Sequence, residues 1–332
     1  MISNYFKHLS IRHAIQILFG AVVLYIGISF VVFIEQLAND SVTYVSRPAG
    51  VEAFLPISAL VGLKAWIATG RFDPIHPAGL VIFLAAIILS LLLKRSFCSW
   101  MCPIGTLSEG LAKIGKKFFG RNLNIPNWMD YGLRSVKYIL LAIFVTAILF
   151  LMSGADAVEF MNTPYNMLSD FKMLRFFQNL GIVGIIVISL LLLLSILFEN
   201  FWCRYLCPYG ALLGLFSILS PFKITRNKQS CIHCGKCTVS CPNRILVEHA
   251  GKVWSPECTG CLNCVQQCPV QETLTFQAVT GQKSLVPRNL ALSILGLWFL
   301  IIGFAIVTGH WESKISMEVY RGLLPLVDQI GH

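Results

Sequence analysis

The apolar positions of the chain gather into five long runs, at about residues 14–34, 77–93, 138–155, 180–198 and 290–308. A helical bilayer crossing takes roughly 17–25 predominantly apolar residues, so the second run lies at the short limit. The pattern predicts a polytopic α-helical membrane protein with about five spans. The first run is too long for a signal-peptide core, and no small-residue cleavage site follows it, so it reads as a retained span. Residues 51–68 are too short and too charged to cross and read as an interfacial or re-entrant helix that could roof a pocket.

Composition agrees. Of 332 residues, 56% are hydrophobic and 13% charged, against roughly a quarter charged in a soluble domain. The net charge of +10 would suit an anionic partner in a soluble protein. Here it collects in particular loops, so basic cytoplasmic loops account for it and nucleic acid is not expected. The amino-terminal stretch holds Lys7 and Arg12. The loop after the second run holds Lys94, Arg95, Lys113, Lys116, Lys117, Arg121 and Arg134 against Glu109 and Asp130. The positive-inside bias then puts the amino terminus, residues 94–134 and residues 199–288 in the cytoplasm of a bacterial-type inner membrane, and the carboxy terminus outside. Trp100, Trp202, Trp298 and Trp311 read as interfacial anchors.

The 12 cysteines all lie in four short motifs, unlike the disulfide framework of a secreted domain. Two are CxxxCP turns, Cys98/Cys102-Pro103 and Cys203/Cys207-Pro208, each following an apolar run. They align as Phe97 to Leu107 with Trp202 to Leu212, and upstream Val51-Glu52 resembles Val158-Glu159. Both halves start inside, so this is a parallel repeat. The chain divides into a first membrane half at 1–120, a second at 121–225, a ferredoxin domain at 226–280, and a fifth span with an outer tail at 281–332.

The strongest signal is Cys231-x2-Cys234-x2-Cys237-x3-Cys241-Pro242, repeated as Cys258-x2-Cys261-x2-Cys264-x3-Cys268-Pro269. This is the bacterial ferredoxin run, in which three close cysteines hold one cubane and the fourth ligates the other. The first [4Fe-4S] cluster takes Cys231, Cys234, Cys237 and Cys268. The second takes Cys258, Cys261, Cys264 and Cys241. Gly235 and Gly260 suit tight loops that turn backbone N–H groups toward sulfur. Paired zinc sites would need a different spacing. The four turn cysteines Cys98, Cys102, Cys203 and Cys207 admit three readings: a further iron–sulfur or metal centre, redox-active dithiols, or structural thiols.

These motifs together resemble the polyferredoxin membrane proteins of the NapH/NosR type, over nearly the whole chain. The resemblance implies a quinol-dehydrogenase-like membrane component that exchanges electrons between the quinone pool and a partner redox protein. The first external loop, of about 40 residues, leaves no room for the large periplasmic flavin-binding domain of NosR-type proteins. For quinol proton transfer the candidates are Glu52, Glu159 and His76, with Asp73 nearby. An ordinary solvated acid or helix cap is the alternative at each. His76 and His310 sit near outer boundaries and could in principle bind a haem. A second function class is a metal reductase or assembly factor whose membrane thiolates bind copper. A third is a non-catalytic anchor.

Overall fold

The computed structural model describes residues 2–39, 45–120, 122–123, 125–281, 284–327 and 329. Arg121 and the side chain of Lys7 lie outside the described residues. The helices are α1 (Ile2–Ala38), α2 (Pro56–Thr69), α3 (Pro77–Leu93), α4 (Ser96–Trp100), α5 (Pro103–Phe119), α6 (Asn127–Val145), α7 (Gly154–Met161), α8 (Pro164–Met167), α9 (Ser169–Gln178), α10 (Ile182–Leu197), α11 (Pro208–Ile218), α12 (Lys236–Val239), α13 (Asn263–Gln266), α14 (Pro287–Val307) and α15 (Met317–Leu323). The strands are β1 (Phe222–Arg226) and β2 (Leu274–Ala278).

Local chemistry sets many of the boundaries. Proline opens α2, α3, α5, α8, α11 and α14, where the missing N–H costs nothing. The α2 helix ends on left-handed Gly70, whose N–H donates to the Trp66 carbonyl. A reciprocal Ser153–Asp156 capping box starts α7.

Among the described residues three helices are long and apolar enough to cross a membrane: Ile11–Ala38, Trp128–Leu151 and Pro287–Val307. The remaining two expected runs form α3 and α10, of 17 and 16 residues, and α9 and α10 meet at an 84° bend. The third span begins about ten residues before its apolar run. Asp130, Arg134 and Lys137 had masked that start, and all three are ion-paired within the protein. That span ends in a wide π turn, Thr146–Leu151. Lys64 Nζ donates to the Leu149 carbonyl within it at 2.8 Å, using an acceptor that the widened turn leaves free. The stretch read as re-entrant forms a short 3-10 turn, Ala49–Phe54, followed by α2.

The described chain forms two compact units, each drawing segments from both sequence halves. The first comprises residues 1–20, 86–141 and 188–298. The second comprises residues 21–85, 142–187 and 299–332.

In the first unit β1 and β2 pair antiparallel, Phe222 opposite Ala278 and Arg226 opposite Leu274. Lys223 is buried beneath this pair. Its ammonium donates to the carbonyls of Ser217, Ile218 and Ser220 at 2.6–3.2 Å, a cation placed at the carboxyl end of α11 where the helix dipole favours it.

The second unit has an aromatic core of Phe30, Phe33, Phe171 and Tyr320. The rings of Phe30 and Phe171 meet edge to face at 5.4 Å, and those of Phe171 and Tyr320 stack at 5.3 Å.

Candidate iron–sulfur and proton sites

All twelve cysteines belong to the first compact unit. In the ferredoxin region the chain folds around two cavities. Cys231, Cys234, Cys237 and Cys268 line one. Cys241, Cys258, Cys261 and Cys264 line the other. Each group joins three close cysteines to the remote cysteine of the other motif. The space between protein atoms at the two sites, open solvent included, is about 340 and 370 Å³.

The loops owe their curvature to left-handed residues at matching places. The first motif has His233 at φ 54° and Gly235 at φ 70°, and the second has Gly260 at φ 61° and Leu262 at φ 63°. Each motif spends one glycine, and the two place it at opposite positions. Right- and left-handed residues in succession turn backbone N–H groups into a concave, anion-binding nest. A hydrogen bond from a backbone N–H reaches Cys241 Sγ from Ile245 at 3.4 Å.

The two cavities differ in exposure. The first combines exposed Cys234 with buried Cys237, whereas the second has buried Cys258 and Cys264 and no exposed cysteine. Burial pushes the Cys241 thiol up to about 12 and the Cys264 thiol well above its usual value. As thiolates these groups require a metal in the proton's place.

The CxxxCP turns share one construction. Cys98 sits in the short helix α4 and Cys203 in the turn Trp202–Leu206. Cys102 and Cys207 are then the N-cap residues of α5 and α11. The Gly210 N–H donates to Cys207 Sγ at 3.2 Å, and the Gly105 backbone N–H likewise favours the Cys102 thiolate. Helix N-termini stabilise thiolates. The structure brings the four thiols within electrostatic reach of one another: Cys203 is influenced by Cys102, Cys207 and Cys98. Burial pushes Cys98 up to about 12 and Cys102 to about 11, with the Arg95 guanidinium opposing the rise at Cys98. Among the described residues no three His, Cys, Asp or Glu side chains converge as a single-ion site.

The turns are tied directly to the second cavity. Trp100 is 1% exposed, and its Nε1–H donates to the Gly260 carbonyl at 3.1 Å. This corrects the reading of Trp100 as an interfacial anchor. Ser99 Oγ donates to the Thr259 carbonyl at 2.7 Å. Trp298, also buried, stacks on Phe97 at 5.6 Å, beside Cys98. From α1, Arg12 reaches the Cys261 carbonyl at 3.3 Å, Asn263 Oδ1 at 3.1 Å, and Glu109.

The proton candidates lie in the second compact unit and part company there. Glu52 is 1% exposed and His76 fully buried. Glu52 accepts from Arg47 at 2.7 Å and from the Gly79 N–H at 2.9 Å, and its Oε1 lies 3.5 Å from His76 Nδ1. Arg47 also binds Asp170 through Nε and Nη2, at 3.0 and 2.6 Å. His76 Nε2 meets the Asn166 carbonyl at 2.7 Å. A carbonyl only accepts, so Nε2 carries the proton and Nδ1 faces Glu52. The opposing carboxylate raises His76 against the effect of burial. The neighbouring His76 and the Arg47 guanidinium lower Glu52 despite its own burial. Asp73 is raised by burial, and its Oδ2 has no hydrogen-bond partner among the described residues. Glu159, by contrast, is exposed and is not brought to Glu52. His310 is exposed and rests edge-on against Phe72, and His76 has its Nε2 committed to a carbonyl, so the two do not form an axial pair for a haem.

With this geometry in place, the comparisons with known proteins fall on the same segments. The family described as "4Fe-4S binding domain" matches residues 75–125 and 180–227, which carry the two CxxxCP turns. The family described as "4Fe-4S dicluster domain" matches residues 223–269. The Escherichia coli (strain K12) protein named "Putative electron transport protein YccM" is 44% identical over 328 residues, covering 97% of this chain and 91% of YccM. The chain belongs to the ferredoxin-type polyferredoxin membrane proteins. The "Ferredoxin-type protein NapH" of Escherichia coli (strain K12) is 26% identical over 63% of this chain and 73% of its own. The "Regulatory protein NosR" of Pseudomonas aeruginosa is 30% identical over 51% of this chain, a stretch that is 23% of NosR. No solved structure matches.

The sequence motifs did not reveal Arg95, Lys137 and Glu257 as functional residues. Arg95 had been counted only as a loop charge. It is 1% exposed, donates to the Gly210 carbonyl at 2.9 Å, and lies 3.8 Å from Glu257. The available signal was an arginine three residues before one cysteine turn and a glutamate immediately before Cys258.

Proposed function

We propose that this chain carries electrons between a quinone in the membrane and a partner redox protein, using a centre at Cys98, Cys102, Cys203 and Cys207 together with two [4Fe-4S] clusters. The observation that carries the reading is the convergence of the four turn thiols beside the loop of the second cavity, in the same compact unit as both ferredoxin motifs. The electron-transport name of YccM and the two 4Fe-4S family matches support it.

The ligand sets proposed are those that line the cavities. Cys231, Cys234, Cys237 and Cys268 hold the first cluster, and Cys258, Cys261, Cys264 and Cys241 hold the second. An iron–sulfur cluster, when bound, takes up and releases single electrons, at a potential set by charge, hydrogen bonds to sulfur and exposure. The protein's own part is to order the sites by depth. Cys258 and Cys264 are buried against the turns, and exposed Cys234 marks the end at which a soluble partner has access. The positive-inside bias of the basic loops supports a cytoplasmic position for this unit.

Quinol oxidation gives up paired electrons and paired protons, so a proton acceptor must accompany the electron path. Glu52 and His76 are proposed for that role, since they share one buried charge cluster with Asp73 close by. Glu159, exposed and apart from them, is not needed. In this reading α2 roofs the quinone site.

The test is iron and acid-labile sulfide per chain on the purified protein, with EPR of the reduced form, followed by rapid mixing with a short-chain quinol. The expected result is more iron than two [4Fe-4S] clusters require, loss of that excess in Cys102→Ser, and electron exchange with the quinone/quinol couple in one direction or the other. Iron limited to two clusters, or no exchange with quinone in either direction, overturns the reading.

A further inference from the structure

Arg95 is among the largest fully buried side chains in the protein. Its Nη1 donates to the Gly210 carbonyl, within the second CxxxCP turn, at 2.9 Å. Its Nε–H is buried with no acceptor among the described residues. A buried donor left unpaired forfeits its hydration with nothing in return, so this N–H marks a place where an acceptor is due. The groups whose negative forms act on Arg95 are Cys98, Glu257, Cys203 and Tyr138, in falling order.

Glu257 has its own partners. Its Oε2 takes Lys137 Nζ at 2.6 Å, and its Oε1 accepts from Tyr138 at 2.9 Å. Two cations, Arg95 and Lys137, therefore share one carboxylate beside Cys98 and Cys203, and among the described residues no second carboxylate pairs with either. The repeat supplies this charge once. The position aligned with Arg95 in the second half is Asn200, and Arg204, the buried arginine of that turn, is committed to Asp130 at 2.7 Å.

We propose that Arg95 is a positioning residue for a centre held by Cys98, Cys102, Cys203 and Cys207: it supplies the counter-charge and an N–H donor to sulfur, and through Glu257 it links the charge state of that centre to the second cluster. The proposal rests on the four-cysteine reading above. The linkage follows from adjacency. Glu257 immediately precedes Cys258, and Asn243, two residues after Cys241, donates from Nδ2 to the Glu257 carbonyl at 2.8 Å. One guanidinium thus stands between the two ligand sets. A cation beside a cluster favours its reduced, more negative form.

The experiment is an EPR-monitored redox titration of the full-length protein in detergent, with iron counted in every sample. Arg95→Gln is expected to keep its iron and to move the midpoint of the third signal to more negative potential, with a smaller shift of the second cluster and none of the first. Arg95→Lys restores the charge but not the fork, so it should recover part of the shift. Glu257→Gln removes the opposing charge and should move the same midpoint the other way, which gives a second arm if Arg95→Gln fails to fold. Wild-type protein without a third signal defeats the four-cysteine reading itself. A third signal that stays in place in both Arg95→Gln and Glu257→Gln, or that moves in step with the first cluster, overturns the role of Arg95 alone.

Discussion

The indole of Trp100 and the carbonyl of Gly260 form a 3.1 Å hydrogen bond that fastens the first CxxxCP turn to the loop between Cys258 and Cys261. With both groups buried, the bond holds two cysteine motifs in fixed register. Trp100→Phe keeps most of the apolar volume and leaves the Gly260 carbonyl unpaired. It should lower stability by about 1–2 kcal/mol and speed loss of cluster absorbance when an iron chelator is added. A chelation rate equal to wild type would show that the bond does not secure the cluster loop.

The first turn depends on Gly105. A Cβ there would stand 2.2 Å from the Cys98 carbonyl oxygen, whereas one at Gly110, five residues along the same helix, meets nothing within 4 Å. Gly105→Ala should therefore disrupt the four-thiol site and lower iron per chain, while Gly110→Ala should leave iron unchanged and gain up to about 1 kcal/mol from better helix propensity. Equal iron in the two variants contradicts the geometry of the turn.

Exposed His233 holds a left-handed conformation at φ 54°, which costs a residue with a Cβ about 1–2 kcal/mol. Its contact with Glu248 is a surface pair at 3.8 Å, worth little. His233→Gly should consequently raise thermal stability, and Gly235→Ala, at φ 70°, should lower it by a similar amount. Melting curves of the two proteins side by side give the check.

The Arg47–Glu52–His76–Asp170 cluster predicts a pH dependence. His76 is raised above its ordinary value of 6.5, so its contribution is complete below about that pH and fades as pH climbs through the elevated folded value. Glu52 is lowered from 4.5, so its contribution is complete above about that pH and is lost on acidification. Asp73 is raised by burial from 3.8, so its contribution is complete below about that pH and is lost as pH rises through its own elevated value, beginning on the acid side. The joint contribution of Glu52 and His76 should be largest between about 4.5 and 6.5. In His76→Asn the alkaline slope should disappear from melting temperatures measured across pH. A slope unchanged in that variant would place its origin elsewhere.

Exposure sets an order of oxidative damage. Cys234 is open to solvent, while Cys258 and Cys264 are buried. Under air the first cluster should bleach before the second, and EPR at successive times should show one signal disappearing ahead of the other. Simultaneous loss would mean that solvent reaches both equally.

The cysteine groupings were legible in the sequence because two motifs of fixed spacing admit the exchange of their fourth ligands, and the two cavities are lined by those same sets. Gly235 and Gly260 were legible for the same local reason, and both have positive φ. His233 and Leu262 were not, because nothing in their side chains advertises a left-handed backbone. Glu52 and His76 could be picked out as polar groups beside apolar runs. Their joining through Arg47 to Asp170 spans 123 residues, and no local pattern encodes that. Lys137 looked like the ragged edge of a span because a buried lysine and an unpaired one read alike in a hydropathy profile. Its partner, Glu257, is 120 residues away.

The repeat gives the protein two versions of one helix, α3 and α10, inside segments matched by the same family. The first is enclosed by protein along nearly its whole length, whereas most residues of the second are uncovered. One copy has become an axle and the other a skin. Substitutions should be judged accordingly: α3 can vary only as its fixed neighbours allow, whereas α10 answers to whatever lipid surrounds it and is free to drift among apolar residues.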